Sequence, residues 1–226
     1  MQPTETIPPE RTLANLVTSQ AGAARVFHHY GLDFCCGGQT TLQSACDTAG
    51  LQAQTVISDI VNGQQAQEGA FIRVDELSPN ELIDHILDKF HQAHRLEVPH
   101  LVKMARKVED VHGDKPTCPT GLSAHLEHMH VALEEHMLKE EEILFPMIRS
   151  GQTAMASMPI RVMEQEHDEH GKNLARLCEL AHEFEAPPEA CATWQALYLG
   201  LKELKEALMQ HIHLENNVLF PCVLRV

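Results

Sequence analysis

One eleven-residue pattern occurs twice in this chain, 75 positions apart, and it constrains the fold more than any other feature. His136-Met-Leu-Lys-Glu140-Glu-Glu-Ile-Leu-Phe-Pro146 returns as His211-Ile-His-Leu-Glu215-Asn-Asn-Val-Leu-Phe-Pro221. Both copies read H-x-x-x-E-x-x-[IV]-L-F-P. In a helix, residues i and i+4 lie one turn apart on the same face. Each copy therefore offers an imidazole and a carboxylate side by side. Two copies on parallel helices meet at one level and supply two nitrogens and two long, bidentate carboxylates.

The rest of the second part supplies the helices this arrangement needs. Ser78-Pro79-Asn80-Glu81 reads as a capping box with proline in the first turn. The helix it opens is expected to reach about Val111, with a bend at Pro99. A second covers Leu122–Arg149 and stops at Ser150-Gly151. A third starts near Pro159 and ends before Pro187-Pro188, and a fourth runs from about Glu189 to Leu219. Each has roughly 25–30 residues, or about 40 Å. No segment alternates with period two. The fold class is therefore all-α, with an up-down four-helix bundle over residues 67–226.

Ahead of it, residues 1–66 read as a small helical module. Residues 1–10 form a proline-rich lead-in, and short helices are expected in Thr12–Tyr30, Thr41–Thr48 and Gln54–Val61. The polar stretch NGQQAQEG serves as a linker. Between the first helices lies GLDFCCGGQTTL, a turn carrying Cys35 and Cys36 followed by Gly37 and Gly38.

Composition sharpens the metal reading. The chain has 16 histidines, 14 of them beyond position 84, while aromatic residues make up only 4%. The balance of 17 Lys+Arg against 32 Asp+Glu gives a formal charge of −15, which opposes binding to nucleic acid or to an anionic membrane. No apolar run approaches a membrane span. Seven scattered cysteines and no signal peptide fit a cytoplasmic protein.

In such a bundle the first and third helices each owe the site one ligand. The third offers His167 and His170. His167 is the expected ligand, and His170 a supporting or surface group. The first offers His85, His91, His94 and His100, of which His91 lies at the required depth. A lone histidine is more often an ordinary core or surface residue. Two buried Glu–His pairs without a cation are costlier, because unpaired carboxylates resist desolvation. Mixed imidazole and carboxylate ligation with bridging glutamates suits iron or manganese better than a closed zinc site.

With these residues in view, the chain resembles the iron–sulfur cluster repair di-iron proteins, the repair-of-iron-centres family, and its bundle resembles a hemerythrin-like domain. The bundle's resemblance rests on DKFHQAHR, EEHMLKEEEILFPMI, MEQEHDEHG and HIHLENNVLFP, and the module's on YGLDFCCGGQTTL. The resemblance implies two non-haem iron ions, oxo- and carboxylate-bridged, ligated by His91, His136, Glu140, His167, His211 and Glu215. It also implies repair of iron–sulfur proteins damaged by nitric oxide or peroxide, by delivery of iron. His112 matches a position associated with metal in the family, but 21 residues past His91 along a helix is roughly 30 Å, too far for one site.

For Cys35 and Cys36 two readings compete: ordinary thiols in a turn, or a redox or iron-handling pair. The resemblance favours the second. On that reading Gly37-Gly38 leaves the backbone open to a ligand, and a helix starting at Thr40 or Thr41 lowers the thiol pKa. The remaining cysteines fit buried or incidental roles. Repair by iron donation, reduction of nitric oxide or peroxide, and sensing or carriage of O₂ or NO all use the same ligands. The expected partners are damaged iron–sulfur proteins and small ligands, with the chain a monomer or homodimer.

Overall fold

The computed structural model describes residues 7–65 and 73–225. The AQEG end of the expected linker, with the boundary at 66/67, lies outside them. Among these residues eight α-helices appear in chain order. The module contains α1 (Leu13–Ser19), α2 (Ala23–His29), α3 (Leu42–Ala49) and α4 (Ala53–Gln65). α4 runs into the stretch read as linker, so NGQQ is helical. Thr12 and Thr41 cap α1 and α3 by accepting from Asn15 N–H and Ser44 N–H, and they pair in a single antiparallel bridge. The expected lead-in is partly anchored, because Ile7 is buried in the core.

The bundle follows as α5 to α8. α5 opens on the capping box, with Ser78 N–H donating to Glu81 at 2.8 Å, and continues through Pro99 to His112. α6 spans 122–149, α7 is Ser157–Leu180, and α8 spans 192–224. α5 packs on α6 and α8, and α7 closes the ring between α6 and α8. α7 ends earlier than the prolines suggest. A run of left-handed residues at His182, Glu183 and Phe184 turns Phe184 back onto the core, where Lys205 lies over its ring.

Three of the four bundle helices are not uniform. A single π-helical turn interrupts α5 at Leu87–His91, α6 at Glu140–Leu144 and α8 at Glu215–Leu219. In α6 and α8 the cause is legible in the repeated pattern. Pro146 and Pro221 lack the N–H that would bond the carbonyl four residues back, and their rings crowd it. The chain widens by one residue, and Phe145 N–H and Phe220 N–H bond Glu140 and Glu215 carbonyls instead. Such turns concentrate at functional sites, and each here ends or begins on a ligand candidate.

Apolar burial divides into two clusters. One runs unbroken from the module (Leu16, Phe27, Phe34, Ile60) into the lower bundle (Leu126, Leu133, Trp194, Leu208). The other caps the far end with Leu82, Phe90, Phe145, Ile160 and Phe220. Between them lies a layer of buried histidine and glutamate.

Candidate metal centre

All six residues expected from the sequence converge in that layer, each no more than 1% exposed. They form two nests of four. His91, His211 and one oxygen from each of Glu140 and Glu215 make the first, and His136, His167 and the remaining oxygens make the second. Glu140 Oε2 is 3.4 Å from His91 Nε2, and its Oε1 is 3.4 Å from His136 Nε2. Glu215 Oε1 is 3.2 Å from His211 Nε2, and its Oε2 is 3.0 Å from His167 Nε2. Each glutamate thus spans both nests. Within each nest two Nε2 atoms face one another, at 3.2 Å for His91–His211 and 3.1 Å for His167–His136.

Facing imidazole nitrogens and fully buried carboxylates are a poor arrangement for protein atoms alone. Both oxygens of Glu140 and Oε2 of Glu215 lack a hydrogen-bond donor among the described residues. A divalent or trivalent cation in each nest resolves this, and the donor set fits iron or manganese. Without a cation, protons must balance the charge. Burial opposes protonation of His91 and His136, but the Glu140 carboxylate and its neighbours overcome it, raising His91 and lifting His136 to about 10. Burial and the mutual repulsion of Glu140 and Glu215 oppose ionisation, yet the histidines hold both carboxyls below their ordinary value.

The far nitrogens of the rings are also held, by residues the repeat did not flag. His91 Nδ1 meets Glu141 at 2.7 Å, and Arg95 grips that carboxylate at 2.8 Å. His136 Nδ1 meets Glu166 at 2.9 Å, and Lys139 grips it at 2.5 Å. The hydrogen bond to His136 is the main reason Glu166 falls to about 2. His167 Nδ1 meets Asn216 Oδ1 at 2.7 Å. His211 Nδ1 has no such partner among the described residues, and Phe90 stacks on that ring at 5.4 Å. The available signal was position: Glu141 and Asn216 each directly follow a glutamate shared by the two nests, and Glu166 directly precedes His167.

Of the other histidines, His85 is half-buried beside Phe90 and His100 is exposed. His94 and His170 are buried beside the ligand groups without joining them. His112 packs on Trp194 with Nε2 3.3 Å from Cys191 Sγ, and it belongs to neither nest. Cys191, expected in a buried or incidental role, is exposed.

The cysteine turn docks on the end of α8 where the second copy of the repeat departs from the first. His213, Asn216 and Asn217 replace Leu138, Glu141 and Glu142. Asn217 Nδ2 donates to Cys35 O at 2.9 Å, and His213 Nδ1 lies 3.2 Å from Phe34 O. Cys36 Sγ lies 3.7 Å from the backbone oxygen of His167. A cavity of about 540 Å³ opens beside it, bounded by Cys35, Cys36, Cys178, Lys172 and Lys205.

Two expectations about this turn fail. The backbone at Gly38 is not open to a ligand: a Cβ there would stand 2.7 Å from Phe34 O and Asn217 Oδ1. Glycine is needed for close packing. Nor is Cys35 activated by α3, whose first N–H groups donate to Arg11 O, Pro9 O and Thr41 Oγ1. The N–H groups of Cys35 and Cys36 turn to Asp33 Oδ1 at 3.0 Å instead. Contact with the Cys36 thiol, burial and the Asp33 carboxylate all push the Cys35 thiol up.

Comparison with known proteins agrees with this architecture. Residues 82–223 match a family model described as the hemerythrin HHE cation binding domain, and residues 9–64 match a domain of unknown function, DUF542. A probable iron-sulfur cluster repair protein of Haemophilus influenzae is 45% identical, covering 95% of this chain and 97% of that protein. The iron-sulfur cluster repair proteins YtfE of Dickeya chrysanthemi and an Escherichia coli strain are 44% and 42% identical over 96% and 94% of this chain, and over 97% and 96% of their own lengths. No described helix is long and apolar enough to cross a membrane. With its cation-binding bundle and its cysteine module matched end to end, the chain belongs to the family of iron–sulfur cluster repair proteins with a hemerythrin HHE domain.

Proposed function

We propose that this protein holds two iron ions in the paired nests and supplies iron to iron–sulfur clusters damaged by nitrosative or oxidative stress. His91 and His211 hold one ion, His136 and His167 the other, and Glu140 and Glu215 bridge them. Iron in such a site is a redox-active Lewis acid whose coordination shell is left incomplete by four protein ligands per ion.

The observation that carries the reading is the pair of shared glutamates, each directing one oxygen into each nest. The uneven support of the histidines favours release over permanent retention. Each nest has one imidazole backed by a carboxylate and one backed by a neutral amide or by nothing. Carboxylate backing strengthens a histidine ligand, so each ion lacks half of that reinforcement. Cys36, against the His167 backbone and beside an open cavity, is where a departing ion would meet a thiol. The cysteine pair is accordingly assigned to iron handling, with damaged iron–sulfur proteins as recipients.

The test is reactivation of a nitric-oxide-damaged iron–sulfur enzyme by protein purified without oxygen. Two irons per chain are expected, with repair abolished in Glu140→Ala and His211→Ala. Cys35→Ser with Cys36→Ser should keep both irons and lose repair. A single zinc, or full repair by an iron-free double variant, overturns the proposal. Steady consumption of nitric oxide with an electron donor would instead support a reductase.

A further inference from the structure

The cavity beside the cysteine turn is bordered by three of the chain's seven cysteines, Cys35, Cys36 and Cys178, and all three are free thiols. Its walls come from α2 and the cysteine turn on one side and from α7 and α8 on the other. It therefore exists only where the module docks on the bundle. Its volume of about 540 Å³ lies within the roughly 300–1,000 Å³ of small-molecule sites. Leu174 and Met209 supply apolar lining.

Four charged side chains border this space, two of each sign, and one of each sign is already engaged. Lys172 pairs with Glu169 at 2.6 Å, and Asp33 accepts the N–H groups of the cysteine turn. Lys205 and Asp168 have no ion-pair partner among the described residues. Lys205 is half-buried, over the Phe184 ring and beside Cys178, and its ammonium opposes the rise that burial imposes on that thiol. A sheltered ammonium without a carboxylate is a place for an anion. His28 borders the same space with 8% of its side chain exposed and Glu206 at 3.2 Å from Nδ1. Its Nε2 has no hydrogen-bond partner among the described residues. With the ring N–H on the glutamate side, Nε2 carries a lone pair able to accept from a ligand N–H or S–H.

The geometry points to this cavity as a binding site for a zwitterionic thiol of short-peptide size. A ligand carboxylate meets Lys205, a ligand ammonium meets Asp168, and the ligand sulfur lies among the three cysteines. The volume suits a short peptide better than a single amino acid. Under the iron-supply reading such a thiol is a mobile carrier. Its sulfur replaces that of Cys36 on a departing ferrous ion, the thiol proton passes to Cys36, and no oxidation state changes. That role rests on the reading above, whereas the binding itself does not.

Calorimetry of the full-length, iron-loaded protein tests the site, with S-methylglutathione as the probe because its blocked sulfur cannot enter disulfide exchange. One saturable site per chain is expected, with weaker binding of S-methylcysteine. Lys205→Met and Asp168→Asn should each weaken binding about tenfold, equivalent to about 1.4 kcal/mol. Lys205→Arg keeps the charge and should keep most of the affinity, which guards against a packing effect of methionine. Lys172→Met should change little, since Glu169 already engages that charge. Absence of saturable binding, or unchanged affinity in both Lys205→Met and Asp168→Asn, overturns the proposal. Equal affinity for S-methylcysteine overturns the peptide class. The metal-free chain should bind the probe equally well, so wild type that takes up no iron overturns the supply reading and leaves this site standing.

Discussion

At the scale of single residues, the atoms behind the proposed ligands matter as much as the ligands themselves. Asn216 is the neutral counterpart of Glu141, and it accepts from the His167 ring at 2.7 Å. Asn216→Leu should weaken one ion by about 10–100-fold, the usual effect of losing such a partner, while Asn216→Asp should tighten it. Competition against a calibrated chelator reads both. His28, at the seam between module and bundle, tests the acid response. Glu206 lies 3.2 Å from its Nδ1, but burial, Lys205, Lys202 and His29 together lower it to about 4. The unfolded chain therefore takes up this proton first. Its contribution to stability is complete above about pH 6.5 and erodes as pH falls towards 4. Denaturant midpoints of metal-free protein should fall over that window, and His28→Leu should make the fall shallower. An identical slope would remove His28 from the account.

At the scale of elements, the π turns set where the proposed ligands point. One extra residue in a turn rotates everything beyond it by roughly 100° relative to an unbroken α-helix. Pro146→Ala and Pro221→Ala each restore an N–H able to bond four residues back, which lets the turn relax. The double variant should remain helical by circular dichroism and lose at least tenfold in iron affinity. Full affinity would mean that packing alone holds the turns. The repeat made Glu140 and Glu215 legible, because i,i+4 spacing is a local property. It did not make the π turns legible, since in α5 the same turn forms with no proline within it. Nor did it show Glu166 as a partner of His136, a contact made between α6 and α7.

At the scale of the whole molecule, the polar layer separates two apolar clusters that would otherwise be one core. Glu140 and Glu215 are both 0% exposed and repel each other. Loading the site should therefore stabilise the entire chain. Iron at a thousandfold over its Kd contributes about 4 kcal/mol, or roughly 10 °C in Tm for a chain of this size. Calorimetry with and without chelator reads the shift. Glu140→Gln with Glu215→Gln should raise the Tm of metal-free protein and abolish the iron-dependent rise. A lower metal-free Tm would show that the carboxylates stabilise the fold by themselves. The module shares the lower cluster without interruption, so it should unfold together with the bundle in one transition.

The sequence by itself determined the all-helical bundle, the paired imidazole–carboxylate side chains and their common level, and the presence of a glycine-flanked cysteine turn. These follow from local periodicity and from a repeat that brings the same side chains to the same face. Depth along a helix pointed to His91 among four histidines of α5, and the structure places it in the polar layer. Only the tertiary structure decided that Glu141, Glu166 and Asn216 meet the far nitrogens of the rings, that Asp33 rather than a helix end governs Cys35, and that both nitrogens of His94 and Nε2 of His170 are buried without a hydrogen-bond partner among the described residues. Each of these depends on which helices touch, how far each is rotated, and what water is excluded between them.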